Sequence, residues 1–139
     1  MRRQKGQAIV EFAFVLPILL TLVFMLLYGG MMFADYLTLS NTARSSARDA
    51  ALLGSEKYAA IKTEYRANTK LIGNLYIWGT GEDSFKIEKK PGDGNLKNYV
   101  EVTIKTDLNK DFPAAGFVPL PETFTIKYSM HDETASATN

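Results

Sequence analysis

Phe12-Ala-Phe-Val-Leu-Pro-Ile-Leu-Leu-Thr-Leu-Val-Phe-Met-Leu-Leu-Tyr-Gly-Gly-Met-Met-Phe-Ala34 contains no charged side chain, and its reading decides the architecture of the whole chain. As a helix rising about 1.5 Å per residue it reaches roughly 35 Å, enough to cross a bilayer with some tilt. On its N-terminal side stands Met1-Arg-Arg-Gln-Lys5, a short basic leader, and the first charge beyond the run is Asp35. Basic residues flanking a span stay in the cytoplasm, so the asymmetry predicts a single-pass, N-in orientation with the remainder extracytoplasmic. A secretory signal peptide would carry an apolar core of only about 7–15 residues and then a small-x-small cut, and neither is found here.

Two residues interrupt the apolar pattern. Pro17 removes a backbone donor and frees the carbonyl of Ala13, which predicts a bend; membrane helices tolerate this when neighbours supply substitute hydrogen bonds. Glu11 stands where the apolar stretch begins. An ionised carboxylate in hydrocarbon costs about 2.5–3.5 kcal/mol even on lenient insertion scales, so a partner is required. A cut after Gly6 would create one, because the new α-amine of Gln7 lies four residues before Glu11 on the same helix face. The positive end of the helix dipole favours a carboxylate there as well. The alternative is that Glu11 snorkels to the headgroups. Further along, Gly29-Gly30 marks either a place of close helix approach or a flexible end, and Tyr28 and Tyr36 suit the outer headgroup boundary.

Gly6-Gln-Ala-Ile-Val-Glu-Phe12 resembles the type IV prepilin cleavage site, and Gly6-Gln-Ala-Ile-Val-Glu-Phe-Ala-Phe-Val-Leu-Pro17 more narrowly resembles TadE-like proteins of the tight-adherence (Flp) pilus system. Asn41-Thr-Ala-Arg-Ser-Ser-Ala-Arg-Asp-Ala-Ala-Leu-Leu-Gly54 is similar to the Ala/Arg-rich segment that follows the span in that family, and Tyr128-Ser-Met-His-Asp-Glu133 to its final strand. The resemblance implies cleavage between Gly6 and Gln7 by a prepilin peptidase, and subunit registration through Gln7, Glu11 and Phe12. It also implies partnership with other pilins or pseudopilins and the pilus assembly platform, in a homo- or hetero-oligomer held by the N-terminal helix. Gln7 departs from the phenylalanine or methionine usual after the cut in other type IV systems. That leaves N-methylation of the new terminus open, and a free glutamine terminus could cyclise. The major Flp pilin is little more than a helix, so the long C-terminal part here implies a minor pilin or pseudopilin.

Beyond Asp35 the helix is expected to continue to Gly54, with Ala43, Ala47, Ala50 and Ala51 on one face and Arg44 and Arg48 on another. Gly54 reads as the stop and Ser55 as the cap of a second helix, with Glu56 in its first turn. In that helix Tyr58, Ile61, Tyr65 and Ile72 recur at helical spacing, and Gly73-Asn74 ends it. The period then changes to two. Phe85 and Ile87; Val100, Val102 and Ile104; and Phe124, Ile126, Tyr128 and Met130 each alternate with polar residues, giving three strands, with Leu75–Trp78 a short fourth. Pro91-Gly-Asp-Gly-Asn95 supplies a turn. The expected fold class is α+β: a long N-terminal transmembrane helix continuing into a head with a second helix and a 3-4-stranded antiparallel sheet. The expected division is leader 1–6, membrane or filament helix 7–34, soluble continuation 35–54, head 55–133 and flexible tail 134–139. Within the long connection 107–122, Phe112, Phe117, Val118 and Leu120 form either a subunit-contact patch or a cover for the sheet edge.

Chemistry is sparse. There is no cysteine and one histidine, His131, which disfavours thiolate sites, His-rich metal sites and a Ser-His triad. Gly79-Thr-Gly81 is too short for a phosphate loop, and the acidic residues do not match a calcium loop. A formal net charge of +1, with scattered lysines and arginines, gives no nucleic-acid surface. The expectation is therefore no enzyme, no catalytic residue, no metal and no cofactor, with membrane lipid and pilus components as partners. The competing expectations are an uncleaved single-pass anchor presenting an extracytoplasmic binding module, and a main filament-forming pilin.

Overall fold

The computed structural model describes residues 2–93, 97–113 and 118–134. One helix, α1 (Arg2–Leu53, 52 residues), carries the apolar run and the Ala/Arg segment without interruption, passing through Pro17. It stops where the sequence places glycine: Gly54 has φ +82°, a left-handed conformation that glycine adopts without steric penalty, and its N–H closes the last turn on the Ala50 carbonyl at 3.2 Å. After a 3₁₀ turn over Ser55–Lys57, α2 spans Tyr58–Asn68. Then follow β1 (Tyr76–Trp78), β2 (Phe85–Lys90), β3 (Tyr99–Leu108) and β4 (Thr123–His131).

β3 is the centre of the sheet. β4 pairs antiparallel with it from Tyr99↔His131 to Asp107↔Thr123. On the opposite side β2 covers Tyr99–Ile104 and β1 covers Thr106–Leu108, both antiparallel. β1 and β2 thus lie end to end along one edge, separated by a detour through the 3₁₀ turn Glu82–Ser84. The α+β class and the four-stranded antiparallel sheet agree with the sequence expectation.

One sheet face is dry and the other wet. Val100, Val102 and Ile104, with Phe85, Ile87 and Ile126, are buried against Leu39, Ala43, Ala47, Ala50 and Ala51 of α1. Alanine leaves no bulk between the helix backbone and the strands, so the Ala stripe lets α1 lie close across the sheet. Ile61, with Tyr58 and Tyr65, brings α2 into the same core. The Tyr65 hydroxyl donates to Asp49 of α1 at 2.6 Å; burial first, and the Asp49 carboxylate second, push this phenol up to about 12. Trp78 stacks on Phe85 at 5.6 Å, and the Arg66 guanidinium lies 5.7 Å from the Trp78 ring. On the wet face charges pair across and along strands, Lys86 with Glu88 at 2.7 Å and Lys90 with Glu101.

Several expectations change. α2 begins at Tyr58 rather than after a Ser55 cap, and no side-chain cap bond forms at its start. It ends at Asn68 because Thr69 is already extended. Ile72 therefore lies outside the helix and is 46% exposed. Gly73 and Asn74 still turn the chain, both with positive φ (66° and 56°). A Cβ at Gly73 would stand 2.3 Å from Cε of Met31, the movable end of that side chain, so it is the positive φ that favours glycine here. β3 runs to Leu108, so the long connection starts only at Asn109. The Tyr76 hydroxyl holds the end of that connection by donating to the Pro121 carbonyl at 2.8 Å. Gly94 and Asn95 of the expected turn lie outside the described residues, as does the expected tail beyond Thr134.

Two buried aspartates have opposite electrostatics. Asp35, fully buried, accepts from the Ile72 N–H through Oδ1 at 2.5 Å, while Oδ2 has no hydrogen-bond partner. Burial raises its carboxyl above the ordinary range, against the pull of the Ile72 N–H. Asp132 is also buried, but pairs with Lys89 and accepts from both N–H and Oγ1 of Thr134. The Lys89 ammonium, and then Thr134, hold its carboxyl below the ordinary range.

Two predictions follow from this packing. Replacing Ala47, fully buried between helix and sheet, by Leu should destabilise the head by about 1–3 kcal/mol, read from chemical denaturation of the full chain in detergent. The aspartates should show opposite pH behaviour. The folded state binds the Asp35 proton more tightly than the unfolded chain, so its contribution falls as pH rises from the ordinary Asp value through the raised one. Asp35→Asn keeps an acceptor for the Ile72 N–H and should raise the thermal midpoint at neutral pH. The Asp132 contribution is present above the unfolded value and lost as pH falls through the lowered one. Asp132→Asn should therefore cost about 1–3 kcal/mol at neutral pH, and the loss should shrink in strong acid. Melts of the three proteins across pH check both signs.

Candidate anchoring and processing segment

The residues singled out at the N-terminus fall on the first described turns of α1. The helical i,i+4 spacing brings Gln7 and Glu11 together, and the Gln7 side-chain amide donates to Glu11 Oε1 at 3.2 Å. This contact uses the side chain of Gln7, not the α-amine that the sequence reading paired with Glu11. Gly6 is exposed, and a Cβ built on it would meet nothing within 4 Å. The fold of this chain therefore gives no steric reason for glycine at that position. Phe12 is 64% exposed.

From Gly6 to Leu27 every residue is exposed, and the apolar side chains project from the helix with no protein around them. Ordinary soluble folding would not leave Phe14, Ile18, Leu22 and Leu26 in water. This one helix is long and apolar enough to cross a membrane, which fits a single-pass anchor. At Pro17 the helix continues, and Thr21 Oγ1 donates to the Pro17 carbonyl at 2.8 Å.

The head takes hold of α1 at Tyr28, well before Asp35. The Tyr28 ring packs edge-on against Phe112 at 5.7 Å, and its hydroxyl reaches the Pro113 carbonyl at 3.5 Å. Met31 meets Gly73, and Tyr36 lies 6.3 Å from Phe124. The stretch of α1 that is exposed all round, clear of the head, ends at Leu27. Of the four residues named in the connection, Val118 is buried and Leu120 and Phe112 are half-buried. Phe117 lies outside the described residues. Phe112 meets the helix, at Tyr28.

Sequence reasoning gave Asp35 only a topological role and missed its use as a tether for the 69–73 segment. The available signal was a lone Asp directly after an apolar run and ahead of an alanine stripe. A groove lined by Arg44, Arg48, Leu52, Tyr128, Met130 and Glu133 was also not foreseen, because it forms only when β4 is laid beside α1. Among the described residues no cluster of three or more His, Asp or Glu side chains is positioned to hold a metal ion.

No curated protein and no solved structure matches the chain. The family model for TadE-like proteins matches residues 6–48, which include the glycine, the glutamate, the exposed span and most of the Ala/Arg segment. Over that N-terminal segment the chain is similar to TadE-like proteins, a similarity that suggests association with a Tad pilus.

Proposed function

We propose that the chain is a minor pilin or pseudopilin for assembly of a tight-adherence type IV pilus, processed by a prepilin peptidase between Gly6 and Gln7. The observation that carries the reading is the exposed helix Gly6–Leu27, TadE-like in sequence and fully separate from the folded head. A helix that apolar needs either lipid or a bundle of like helices, and its side chains are free for both. Gly6 supports the cut, because the small residue answers to nothing inside this chain and suits a protease that must close around the backbone. Glu11 then pairs with the α-amine of Gln7, on its own or a neighbouring subunit, and a wrong axial register leaves a buried charge unpaired. The basic leader stays in the cytoplasm and the head lies outside it. On this reading the head serves assembly.

The first test is the mass of the protein recovered from the membrane fraction. Loss of residues 1–6 is expected; an intact leader would support the uncleaved anchor and sink the processing claim. The second is Glu11→Ala. Membrane insertion should persist, because the change makes the span more apolar, while incorporation into pilus-linked complexes should fall at least about tenfold if one buried charge pair is lost. Unchanged incorporation would show that Glu11 has no registering role.

A further inference from the structure

We propose that the base of the head is seated in the outer headgroup layer of the membrane, with Phe112 at the hydrocarbon boundary beside Tyr28. The partner of this surface is the lipid itself. The inference rests on the membrane-anchored reading and is independent of processing at Gly6.

The depth follows from counting along α1. A span needs about 20 residues. The inner boundary is marked by Lys5 or by Glu11, and about 20 residues onward lies between Met25 and Met31. Tyr28 stands three residues, about 4–5 Å, from the boundary that either charge sets. Its hydroxyl and ring both engage the head, at Pro113 and Phe112, so that part of the head must share its depth. Asp35, one step further out by roughly 10 Å, accepts from the Ile72 N–H. The headgroup layer on each side is about 5–8 Å thick, which places Phe112 at its inner limit and Ile72 just beyond its outer one.

The surface has the matching chemistry. Phe33, Tyr36 and Leu37, all around half-exposed or more, lie on α1 at this level, and Ile72 is 46% exposed. In water these side chains would form an unexplained apolar collar continuous with the span; in the interface they occupy the zone where aromatic residues are favoured. Lys110 and Asp111, both exposed beside Phe112, contribute opposite charges that cancel locally. The seating is therefore driven by apolar and aromatic contact, without a requirement for anionic lipid. The head does not stand off on a helical stalk; it begins at the membrane surface.

The absence of cysteine permits single-cysteine labelling of the full chain. Phe112→Cys, Pro113→Cys, Ile72→Cys and, as a distal control on β4, Ser129→Cys would each carry a fluorophore in zwitterionic phosphatidylcholine vesicles. Some of the lipid would bear a nitroxide near the headgroup. Flotation after an alkaline wash checks anchoring first: failure to float defeats the membrane reading itself. In floating protein, severalfold stronger quenching is expected at Phe112 and Pro113 than at Ser129, with Ile72 between, and unchanged when anionic lipid is added. Quenching at Phe112 and Pro113 no greater than at Ser129 overturns the inference. Protection of both labels from lipid-borne and aqueous quenchers alike also overturns it, because a second copy would then cover the base.

Discussion

The close packing of the alanine face of α1 on β3 and its neighbours holds the head to its anchor. Leu39, Ala43, Ala47, Ala50 and Ala51 are all essentially without solvent contact, and so are Val100, Val102 and Ile104 opposite them. The four-stranded sheet has one apolar face, which must be buried against another element. It needs a cover, and here the cover is the same helix that forms the span. The head therefore has no independent existence from α1, and any tilt or rotation of the helix is transmitted to the sheet without a joint. Asp49–Tyr65 and Thr42–Thr69 add polar ties from α1 to α2 and to the segment after it, which fixes the second cover in the same frame.

One helix thus has to satisfy two solvents in succession. Up to Leu27 it is exposed all round, and from Leu39 onward it buries one stripe of small residues. Between these regimes lies a transition where the head contributes single contacts: Phe112 and Pro113 on Tyr28, Gly73 on Met31, Ile72 on Asp35. Asp35 is costly in its charged form because only one of its oxygens is bonded. Its service is geometric, fixing a loop that leaves α2 in extended conformation. Asp132, also buried, instead pairs with the Lys89 ammonium through Oδ2 and accepts from Thr134 through Oδ1.

Periodicity made most of this legible. The span, the alanine face, the Gly54 stop and all four strands were visible because each is a repeated local pattern imposed by one apolar partner. The misreadings share a different cause. Ile72 keeps helical spacing with Tyr58, Ile61 and Tyr65, yet it is outside α2, because the chain breaks at Thr69 to let Ile72 N–H reach Asp35. That competition is between a local helix and one hydrogen bond from a residue far away in sequence, and no window on the sequence contains both. The same holds for the Arg44–Arg48 groove, which depends on β4, and for Phe112, whose partner Tyr28 was read as a lipid anchor alone. At the N-terminus the Gln7–Glu11 contact was legible because it needs only the helix.

On the proposed reading, rigid attachment constrains how the chain enters a helix bundle. If the head begins at Tyr28, neighbouring helices are free to pack only along the stretch up to Leu27, roughly 30 Å of contact for about 20 residues. Within so short a seam the apolar side chains repeat with little to distinguish one axial register from the next. Leucine, valine and phenylalanine pack almost equally well when shifted by a turn. Discrimination then falls on the few polar groups, Glu11 and the residue that partners it, because a slip leaves a carboxylate in an apolar bundle without its cation. Gln7 offers that carboxylate a neutral amide before any cut, which lowers the cost of holding Glu11 near the membrane while the chain waits. A processed terminus would add a full positive charge on the same residue. On this reading glutamine at position 7 serves both stages: a weak partner in the precursor, and the carrier of a strong one in the assembled subunit.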